Sequence, residues 1–399
     1  MKLKENGNVP EIRFDYFKEE WDKKRFKDFT KLSQGLQIAI SSRFLEDGEH
    51  RYFYITNEFL NPNSTKKYYI ESPSENVICT VDDILMTRTG NTGKVITNIS
   101  GAFHNNFFKV DYDKFETSKM FLYYLLTSND IQKEIIIRAG NSTIPDLNHN
   151  DFYSIKTSVP ALVEQSAIGS LFRTLDDLLA SYKDNLANYQ SLKVTMLSKM
   201  FPKAGQTVSE IRLDGFEGDW KKDTLEPYLT ESRISGDTGL TAKKITVKLW
   251  GKGVVEKEEK YAGSSNTQYF IRKAGQFIYS KLDFQNQAFG IIPNKLDGYQ
   301  STLDLPTFDI QNIDPKFLLK YVMRREFYEY QGLIANGSRK AKRIHPEDFL
   351  VMPVRIPSLE EQQAIGAYFS NLDNLIAAHQ EKISQLETLK KKLLQDMFI

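Results

Sequence analysis

The sequence predicts an α+β protein in which two α/β globular domains are separated by two long helices, packed as an antiparallel coiled coil with a pseudo-twofold internal repeat. Three observations predict this fold class. A short motif occurs twice, a helical segment of 43 residues occurs twice, and that segment carries apolar residues at heptad spacing. A length of 399 residues also exceeds what one ordinary core holds.

The first element of the repeat is a short motif at the start of each copy. Val9–Phe17 (VPEIRFDYF) lines up with Val208–Phe216 (VSEIRLDGF), and Trp21 matches Trp220 at the same offset of 199 residues. Two matches at one offset indicate duplication of a unit of about 200 residues.

The second element is the shared helical segment. Val159–Phe201 aligns without a gap to Ile356–Phe398, with 17 identities in 43 positions. Each copy opens with a proline and then a Glu-Gln pair, which suits a helix N-terminus, and contains no proline after that. The repeat therefore predicts a first globular domain at 1–158, a first helical spacer at 159–203, a second globular domain at 204–355 and a second spacer at 356–399.

Both spacers carry a seam of residues that alternate three and four apart over about four heptads, as in a coiled coil. Two equivalent long helices are expected to pack on each other, and an antiparallel pairing would place the globular domains at opposite ends of a rod. Two ordinary amphipathic helices, each packed on its own domain, remain the alternative. The seam residues are Phe172, Leu175, Leu179, Tyr182, Leu186, Tyr189, Lys193, Met196 and Met200, then Phe369, Leu372, Ile376, His379, Ile383, Leu386, Lys390, Leu393 and Met397.

The globular domains are alike at their ends and divergent in the middle. Apolar, β-rich stretches predict strands, and longer apolar patterns predict short helices, each followed by a turn rich in Gly, Asn and Ser. Most of the abundant aromatic residues are expected in the cores. The predicted strands are Asn76–Val81 and Gln276–Ser280, the helices Phe121–Leu126 and Phe317–Val322, and the turns Gly140–Thr143 and Asn336–Arg339.

Composition limits the classes of protein. No run of about 18 apolar residues exists, and the first residues lack the apolar core of a signal peptide. The single cysteine, Cys79, excludes an internal disulfide and a cysteine-built zinc site, so we expect a cytoplasmic protein. The net charge is +1, but residues 230–356 hold 20 Lys and Arg against 14 Asp and Glu, whereas residues 30–158 hold 13 against 15. Only the second domain is mildly basic.

One stretch, Thr87–Val95 (TRTGNTGKV), resembles a phosphate-binding loop, and it fails on three counts. Arg88 stands where the pattern needs its first glycine, and Val95 stands where a Ser or Thr should reach magnesium. The residues that follow are typical of a strand or turn, whereas the pattern needs a helix N-terminus for the phosphates. The sequence therefore argues against nucleotide hydrolysis here.

Other catalytic patterns are missing from the sequence as well. The nearest string to the Asn/Asp-Pro-Pro-aromatic element of amino-methyltransferases is Asn61-Pro62-Asn63, which lacks the second proline and the aromatic residue. The carboxylates form no recognisable magnesium-nuclease cluster, and the five histidines show no metal-binding spacing. We expect no catalytic residues and no metal site, and hence a recognition or assembly protein.

The tandem order of variable domain, shared helix, variable domain and shared helix resembles the DNA-specificity subunit of type I restriction–modification systems. The likeness rests on the two copies of the start motif and of the helical segment, and the string PSLEEQQAI at 357–365 is especially typical. The strings ILMTRTGNTGKV and GNSTIPDLNHNDF also look like those domains. The resemblance covers nearly the whole chain.

The resemblance implies that each variable domain is a target-recognition domain that reads one half of a bipartite site in double-stranded DNA. It implies that the helices set the distance between the half-sites and dock two methyltransferase (modification) subunits, which restriction (motor) subunits join. S-adenosylmethionine, ATP and Mg²⁺ would then belong to those partners, and this chain would hold no cofactor and not be an enzyme.

Base contacts are expected in the divergent, polar, Gly-flanked loops, because Arg and Lys suit guanine and Asn and Gln suit adenine. Three alternatives stay open: a coiled-coil scaffold that never touches DNA, a nucleotide-binding protein, and a recognition subunit for methylation only. The candidates are Arg88, Thr89, Asn91, Thr92, Lys94, Asn105 and Ser142 in the first domain, and Lys281, Gln285, Asn286, Gln287, Arg339, Lys340, Lys342 and Arg343 in the second.

Overall fold

A computed structural model of the chain describes residues 9–140, 143–258, 263–334 and 343–399. The chain forms two compact units, Met1–Lys183 with Glu381–Ile399, and Asp184–Gln380. Each unit therefore contains one globular region together with parts of both long helices. Among the described residues, no helix combines the length and the apolar composition that crossing a bilayer requires.

The first half of the chain contains ten strands and four α-helices within the described residues. The strands are β1 (Asp22–Arg25), β2 (Thr30–Gln34), β3 (Arg51–Ile55), β4 (Tyr69–Glu71), β5 (Ile78–Cys79), β6 (Ile84–Thr87), β7 (Val95–Thr97), β8 (Gly101–Phe103), β9 (Phe107–Tyr112) and β10 (Lys156–Val159). The helices are α1 (Lys119–Thr127), α2 (Asn129–Ala139), α3 (His149–Ser154) and α4 (Leu162–Lys199).

The second half repeats this order with small differences. Its strands are β11 (Lys221–Thr224), β12 (Leu229–Glu231), β13 (Ser235–Thr238), β14 (Ile245–Val247), β15 (Val254–Glu256), β16 (Gln268–Ile271), β17 (Phe277–Tyr279), β18 (Phe289–Ile291), β19 (Gln300–Ser301), β20 (Thr307–Ile310) and β21 (Pro353–Ile356). Its helices are α5 (Pro315–Val322), α6 (Arg325–Gln331), α7 (Pro346–Leu350) and α8 (Leu359–Asp396).

Each unit is built around an antiparallel four-stranded sheet of the same topology. The strand order is β2-β9-β6-β7 in the first unit and β12-β20-β17-β18 in the second. In each unit a two-stranded antiparallel ladder, β1 with β10 or β11 with β21, joins the start of the globular region to the strand that precedes the long helix. The remaining strands differ: β4-β3-β8-β5 form one sheet in the first unit, whereas β13-β16-β19 and β14-β15 are separate in the second.

The repeated start motif is explained by one ion pair in each unit. Arg13 donates from Nε and Nη2 to the Glu164 carboxylate at 2.7 Å each, and Arg212 does the same to Glu361 at 2.8 and 2.7 Å. The two carboxylates are 2–3% exposed, and a bidentate arginine provides the paired hydrogen bonds that a buried carboxylate requires. The Glu of the Glu-Gln pair therefore anchors the start of each copy to the long helix.

In each unit the glutamine of the pair bonds to backbone groups of two other segments. In the first unit the Gln165 Oε1 atom accepts from the Ser118 amide at the start of α1, while its Nε2 atom donates to the carbonyl of Pro160. Gln362 makes the same pair of bonds to Asp314 and Pro357 in the second unit. The shared segment is conserved between the two copies because it organises contacts that both units need.

The predicted antiparallel coiled coil is confirmed within each unit. In the first unit Asp176 of α4 bonds to Lys390 of α8, and seven residues later Lys183 pairs with Glu387 at 2.7 Å. In the second unit the rings of Tyr189 and His379 lie 5.1 Å apart, and Lys193 pairs with Asp373 at 2.6 Å. Rising numbers on α4 meet falling numbers on α8 in both units, so the helix segments run in opposite directions.

Every residue of the predicted seam is buried or half-buried. Each of the two seam lysines pairs with a carboxylate. Lys390 bonds to Asp176, which also accepts from the Tyr124 hydroxyl at 2.7 Å, and Lys193 shares Asp373 with Lys320.

The predicted short elements are partly correct. The helices α1 and α5 contain the predicted helical stretches, and β17 lies within the predicted strand at 276–280, without its first and last residues. The strand expected at Asn76–Val81 is wrong in extent, because Glu75–Val77 forms a 3₁₀ turn and only Ile78–Cys79 pair, with β8. The predicted turn at Asn336–Arg339 lies outside the described residues, as do Asn141 and Ser142 of the first turn.

Candidate functional site

The loop at 88–94 and the loop at 280–288 are the same connection in the two units. The first joins β6 to β7 and the second joins β17 to β18, and in each unit these two strands pair at one side of the four-stranded sheet. The two hairpin loops therefore occupy equivalent places while sharing almost no sequence.

Backbone conformation explains the glycines of the first hairpin loop. Gly90 and Gly93 have φ angles of 61° and 88°, which non-glycine residues adopt with difficulty, and Asn91 between them has a φ of 61°. A side chain at Gly93 would also lie 2.9 Å from the Gln132 amide oxygen. The loop is thus a tight left-handed turn packed against α2.

Arg88 is the most firmly held candidate of this loop. Its Nη2 atom donates to Asp146 at 2.7 Å, and its guanidinium carbon lies 5.5 Å from the centre of the Phe108 ring. The side chain is 19% exposed. Arg88 therefore connects the hairpin loop to the segment before α3 and remains partly exposed.

Two threonines of the loop are also tied into the fold. The Thr89 carbonyl accepts from the Asn57 side-chain amide at 3.1 Å, and the Thr92 hydroxyl donates to the Pro145 carbonyl at 2.7 Å. These bonds fix the loop against two other segments of the first unit. A preformed loop loses less conformational freedom when it binds a ligand.

The remaining described candidates of the first unit are more open. Asn91 and Lys94 are exposed, and the Lys94 ammonium lies 3.4 Å from the Leu60 carbonyl. Asn105, on the neighbouring turn, donates from its amide to the Gln37 side chain at 3.2 Å. Asn91, Lys94 and Asn105 thus offer polar groups beside the turn.

The second hairpin loop carries four of the candidates. Gln285 is exposed and Lys281 half-buried, while the Asn286 amide donates to Asp283 at 3.3 Å. Gln287 takes the left-handed conformation, with a φ of 53°. This loop presents one cation and three carboxamides, whereas the first presents two cations, two threonines and one carboxamide.

One backbone bond identifies Arg88 and Lys281 as equivalent positions. The Leu147 amide donates to the Arg88 carbonyl at 2.9 Å, and the Ile344 amide donates to the Lys281 carbonyl at 3.1 Å. In both units the bond ties the hairpin loop to the segment that leads into the next short helix. The pair of loops is therefore one conserved scaffold with different side chains.

The charge at this junction differs between the units. Asp146 precedes Leu147 and neutralises Arg88, whereas the equivalent residue of the second unit is a cation, Arg343, beside Lys281. The Arg343 Nε atom lies 3.8 Å from Asp304, a longer and partly exposed pairing. This exchange of an acid for a base contributes to the more basic character of the second domain.

Four of the candidate DNA contacts fall in stretches that the structure does not describe. Ser142, Arg339, Lys340 and Lys342 lie outside the described residues, so the run of cations at 339–343 is described only at Arg343.

Trp250 departs from the expectation that most aromatic residues lie in the cores. Trp250 is 58% exposed at the turn between β14 and β15, and its amide donates to the Asn286 carbonyl of the second hairpin loop at 2.8 Å. The signal was available in the string Lys248-Leu-Trp-Gly-Lys252, where an aromatic residue stands between lysines and beside a glycine.

Histidines add no positive charge beside the first loop at neutral pH. Burial, reinforced by nearby Arg43, lowers the pKa of His104 below its ordinary 6.5. Burial and the charge of Arg88 lower the pKa of His149 in the same way. Within the described parts of the chain, no group of three or more His, Cys, Asp or Glu side chains could hold a metal ion.

Comparison with known proteins gives matches along nearly the whole chain. The profile of the type I restriction modification DNA specificity domain matches residues 18–188 and again residues 227–388. The type I restriction enzyme MjaVIII specificity subunit of Methanocaldococcus jannaschii is 23% identical over 421 residues, covering 99% of this chain and 96% of that protein. The crystal structure of the S subunit of a type I restriction–modification system from M. genitalium has the same fold, with a TM-score of 0.60 and 14% identity over 98% of this chain and 99% of the other.

Proposed function

The chain belongs to the family of type I restriction–modification DNA specificity proteins, and on that premise we propose that it is the recognition subunit of such a system. Each unit reads one half of a split site in double-stranded DNA, and different readers make the site asymmetric. The chain contributes recognition and not catalysis. The scaffold and nucleotide-binding alternatives receive no support from the family match or from the hairpin loop, where the strand β7 follows directly.

The observation that carries this proposal is the pair of equivalent hairpin loops with different side chains. A shared chemical step would require the same groups in both places, whereas reading two sequences requires different groups on one scaffold. The backbone bonds from Leu147 and Ile344 show a common scaffold, and the substitution of Lys281 for Arg88 and of Arg343 for Asp146 changes what it presents.

Direct readout in the major groove suits these side chains. Arg and Lys donate to the O6 and N7 acceptors of guanine, and Asn and Gln pair with adenine through a donor and an acceptor. The Thr92 hydroxyl already donates within the fold, and Thr89 is half-buried. We therefore rank the exposed Asn91, Lys94 and Gln285 ahead of the two threonines as base contacts.

The long helices serve assembly and spacing. The antiparallel segments of α4 and α8 are held by ion pairs in each unit, which suits a fixed separation of two half-sites in the way that half-site spacing is set in dimeric DNA readers. Their exposed faces dock two methyltransferase subunits, and restriction subunits join that complex in the cytoplasm. S-adenosylmethionine, ATP and Mg²⁺ belong to those partners.

Sequencing of the methylated genome tests the proposal. The chain is co-expressed with candidate methyltransferase subunits in a host that lacks this methylation. The expected result is a split motif with an unspecified gap, present only when both proteins are produced. The absence of new methylation with every cognate subunit that co-purifies with this chain would reject the proposal.

A further inference from the structure

Trp250 differs from the other two tryptophans of the chain. Trp21 and Trp220 are each 2% exposed and belong to the cores of the two units, whereas Trp250 is 58% exposed. Leaving a large indole in water forgoes the burial free energy that such a side chain normally contributes. An exposed tryptophan on a tight turn is therefore a candidate contact for a ligand.

The backbone at Trp250 is held in an unfavourable conformation. Its φ angle is 59°, a region that costs a residue with a Cβ atom about 1 kcal/mol or more. Two bonds to the second hairpin loop hold it there, from the Trp250 amide to the Asn286 carbonyl at 2.8 Å and from the Gly251 amide to the Gln287 carbonyl at 2.9 Å. The fold thus fixes the exposed ring beside the loop that carries the candidate base contacts.

The charges around the ring favour a polyanion. Lys248 and Lys252 flank Trp250 in the turn and are both exposed, and the turn 248–253 contains no carboxylate. Leu249 beside them is 38% exposed and adds apolar surface. Cations on both sides of an aromatic ring suit phosphates flanking a base step, whereas a protein partner would more often present apolar surface to such a ring.

Resting on the proposed function, we propose that Trp250 is an apolar DNA contact of the second domain, which inserts its ring against the bases of one half-site while Lys248 and Lys252 contact the flanking phosphates. Aromatic and aliphatic wedges used in this way unstack a base step and add readout that depends on how easily that step deforms. The second domain would then combine hydrogen bonding by its hairpin loop with insertion by the neighbouring turn.

The test compares two substitutions that remove the ring and differ in backbone strain. Trp250→Ala keeps a Cβ atom in the left-handed conformation, whereas Trp250→Gly relieves the strain. Both are assembled with the methyltransferase subunits and titrated against a duplex that carries the methylated motif. We expect both to bind roughly 10-fold or more weakly than the unmodified complex, because one base–aromatic contact contributes about that much.

Trp250→Phe and Lys252→Ala are the matched controls. Trp250→Phe keeps an aromatic face and should retain most of the affinity. Lys252→Ala should weaken binding to any duplex and reduce the slope of log affinity against log salt by about 1, a change that Trp250→Ala should not produce.

Fluorescence gives a readout that is independent of affinity. The difference in emission between the unmodified complex and the Trp250→Phe complex isolates the contribution of Trp250, and the specific duplex should quench it or shield it from acrylamide. The inference would be overturned if both ring deletions left the affinity for the duplex unchanged and the duplex left the emission of Trp250 unchanged. Loss of subunit assembly without loss of DNA affinity would overturn it too, by assigning the ring to a protein partner. If the unmodified complex binds no duplex, the proposed function fails and this inference fails with it.

Discussion

Arg88 can hold the fold or read a base, because its guanidinium pairs with Asp146 while its side chain stays partly exposed. If it reads a base, Arg88→Ala should weaken specific binding by the assembled complex by ~1–3 kcal/mol. Asp146→Ala should then cost less, because the arginine remains available. Titration of both variants against the specific duplex measures this difference.

Equal losses in the two variants would mean that Arg88 acts only by holding the segment before α3. Unchanged binding and an unchanged methylated motif in Arg88→Ala would remove it from the base contacts. The two results are distinct, because the first is a loss of binding in both variants and the second is unchanged binding in Arg88→Ala.

Asp373 supports a pH prediction. Burial raises the pKa of this carboxyl, but hydrogen bonds from Lys193 and Lys320 outweigh burial and hold the pKa below its ordinary 3.8. The folded carboxyl therefore binds a proton less readily than the unfolded one, so its stabilisation is present above about pH 4 and is lost as the pH falls through the folded pKa. Asp373→Asn should remove this part of the acid dependence of urea unfolding.

The same substitution should destabilise the protein at pH 7, because it leaves Lys320, whose side chain is 8% exposed, beside Lys193 without a counter-charge. We expect about 1–2 kcal/mol, less than for a fully buried pair because Asp373 is partly exposed. Asp176→Asn is the matched control: Tyr124 stands there in place of Lys320, so only Lys390 loses its partner. An equal or larger loss in the control would contradict this account.

At the scale of elements, one glycine in each long helix sets how closely it packs on the globular part of its unit. A Cβ atom at Gly169 would lie 2.9 Å from the Met120 Cβ and from the Phe121 amide at the start of α1. At Gly366 it would lie 2.6 Å from Asp314 at the start of α5. Glycine at these positions permits a close approach that any other residue would prevent.

Gly169→Ala distinguishes helix propensity from packing. Propensity alone would stabilise α4 by about 1 kcal/mol. Because the new methyl group meets backbone, we expect destabilisation by about 1–3 kcal/mol instead. Chemical denaturation measures the sign, and Ser170→Ala at the exposed next position should change stability by less than about 0.5 kcal/mol. A stabilised Gly169→Ala variant would show that α4 can move away from α1.

The long helices could be predicted from the sequence because a heptad pattern is local and each copy supports the other. The short strands could not be predicted with the same accuracy, because a strand such as β5, with two residues, exists only through its pairing with β8 more than twenty residues away. The Glu-Gln pair was recognised as a helix start, yet its contacts to Arg13 and to the start of α1 depend on the folded chain.

At the scale of the whole molecule, the two hairpin loops, at 88–94 and 280–288, should act independently in DNA binding. Each belongs to a unit with its own core and its own four-stranded sheet. Arg88→Ala and Lys281→Ala should each relax a different half of the methylated motif, and their losses of binding free energy should add within about 0.5 kcal/mol in the double variant. A change in both half-sites from either single substitution, or a clear departure from additivity, would contradict independent reading.

The sequence points to the loop at 88–94 as a candidate site, but it does not give the contacts that hold that loop. TRTGNTGKV has no counterpart in the second copy, where Ser280–Ala288 stands in roughly its place, and such a difference between duplicated units suits a loop that reads. The matching strand connections and the bonds from Leu147 and Ile344, which join segments about 60 residues apart, then establish its equivalence to the loop at 280–288. Composition assigns aromatic residues to cores, and Trp250 is set apart by the lysines and glycine beside it in the sequence and by its exposure and backbone conformation in the structure.

The start motif of each copy bonds to the end of a long helix, and the two cases differ in covalent connection. In the second unit the Ile211 amide donates to the Lys199 carbonyl, and a short stretch of chain joins the two residues. In the first unit the Ile12 amide donates to the Asp396 carbonyl, with no peptide link at that junction. The same two parts of the repeat are therefore held together in each unit, once with a short connecting stretch of chain and once between residues far apart in the sequence. A circular permutant that closes the junction of the first unit with a short linker and opens that of the second near Lys203 should keep both sheets and all the paired contacts of α4 and α8.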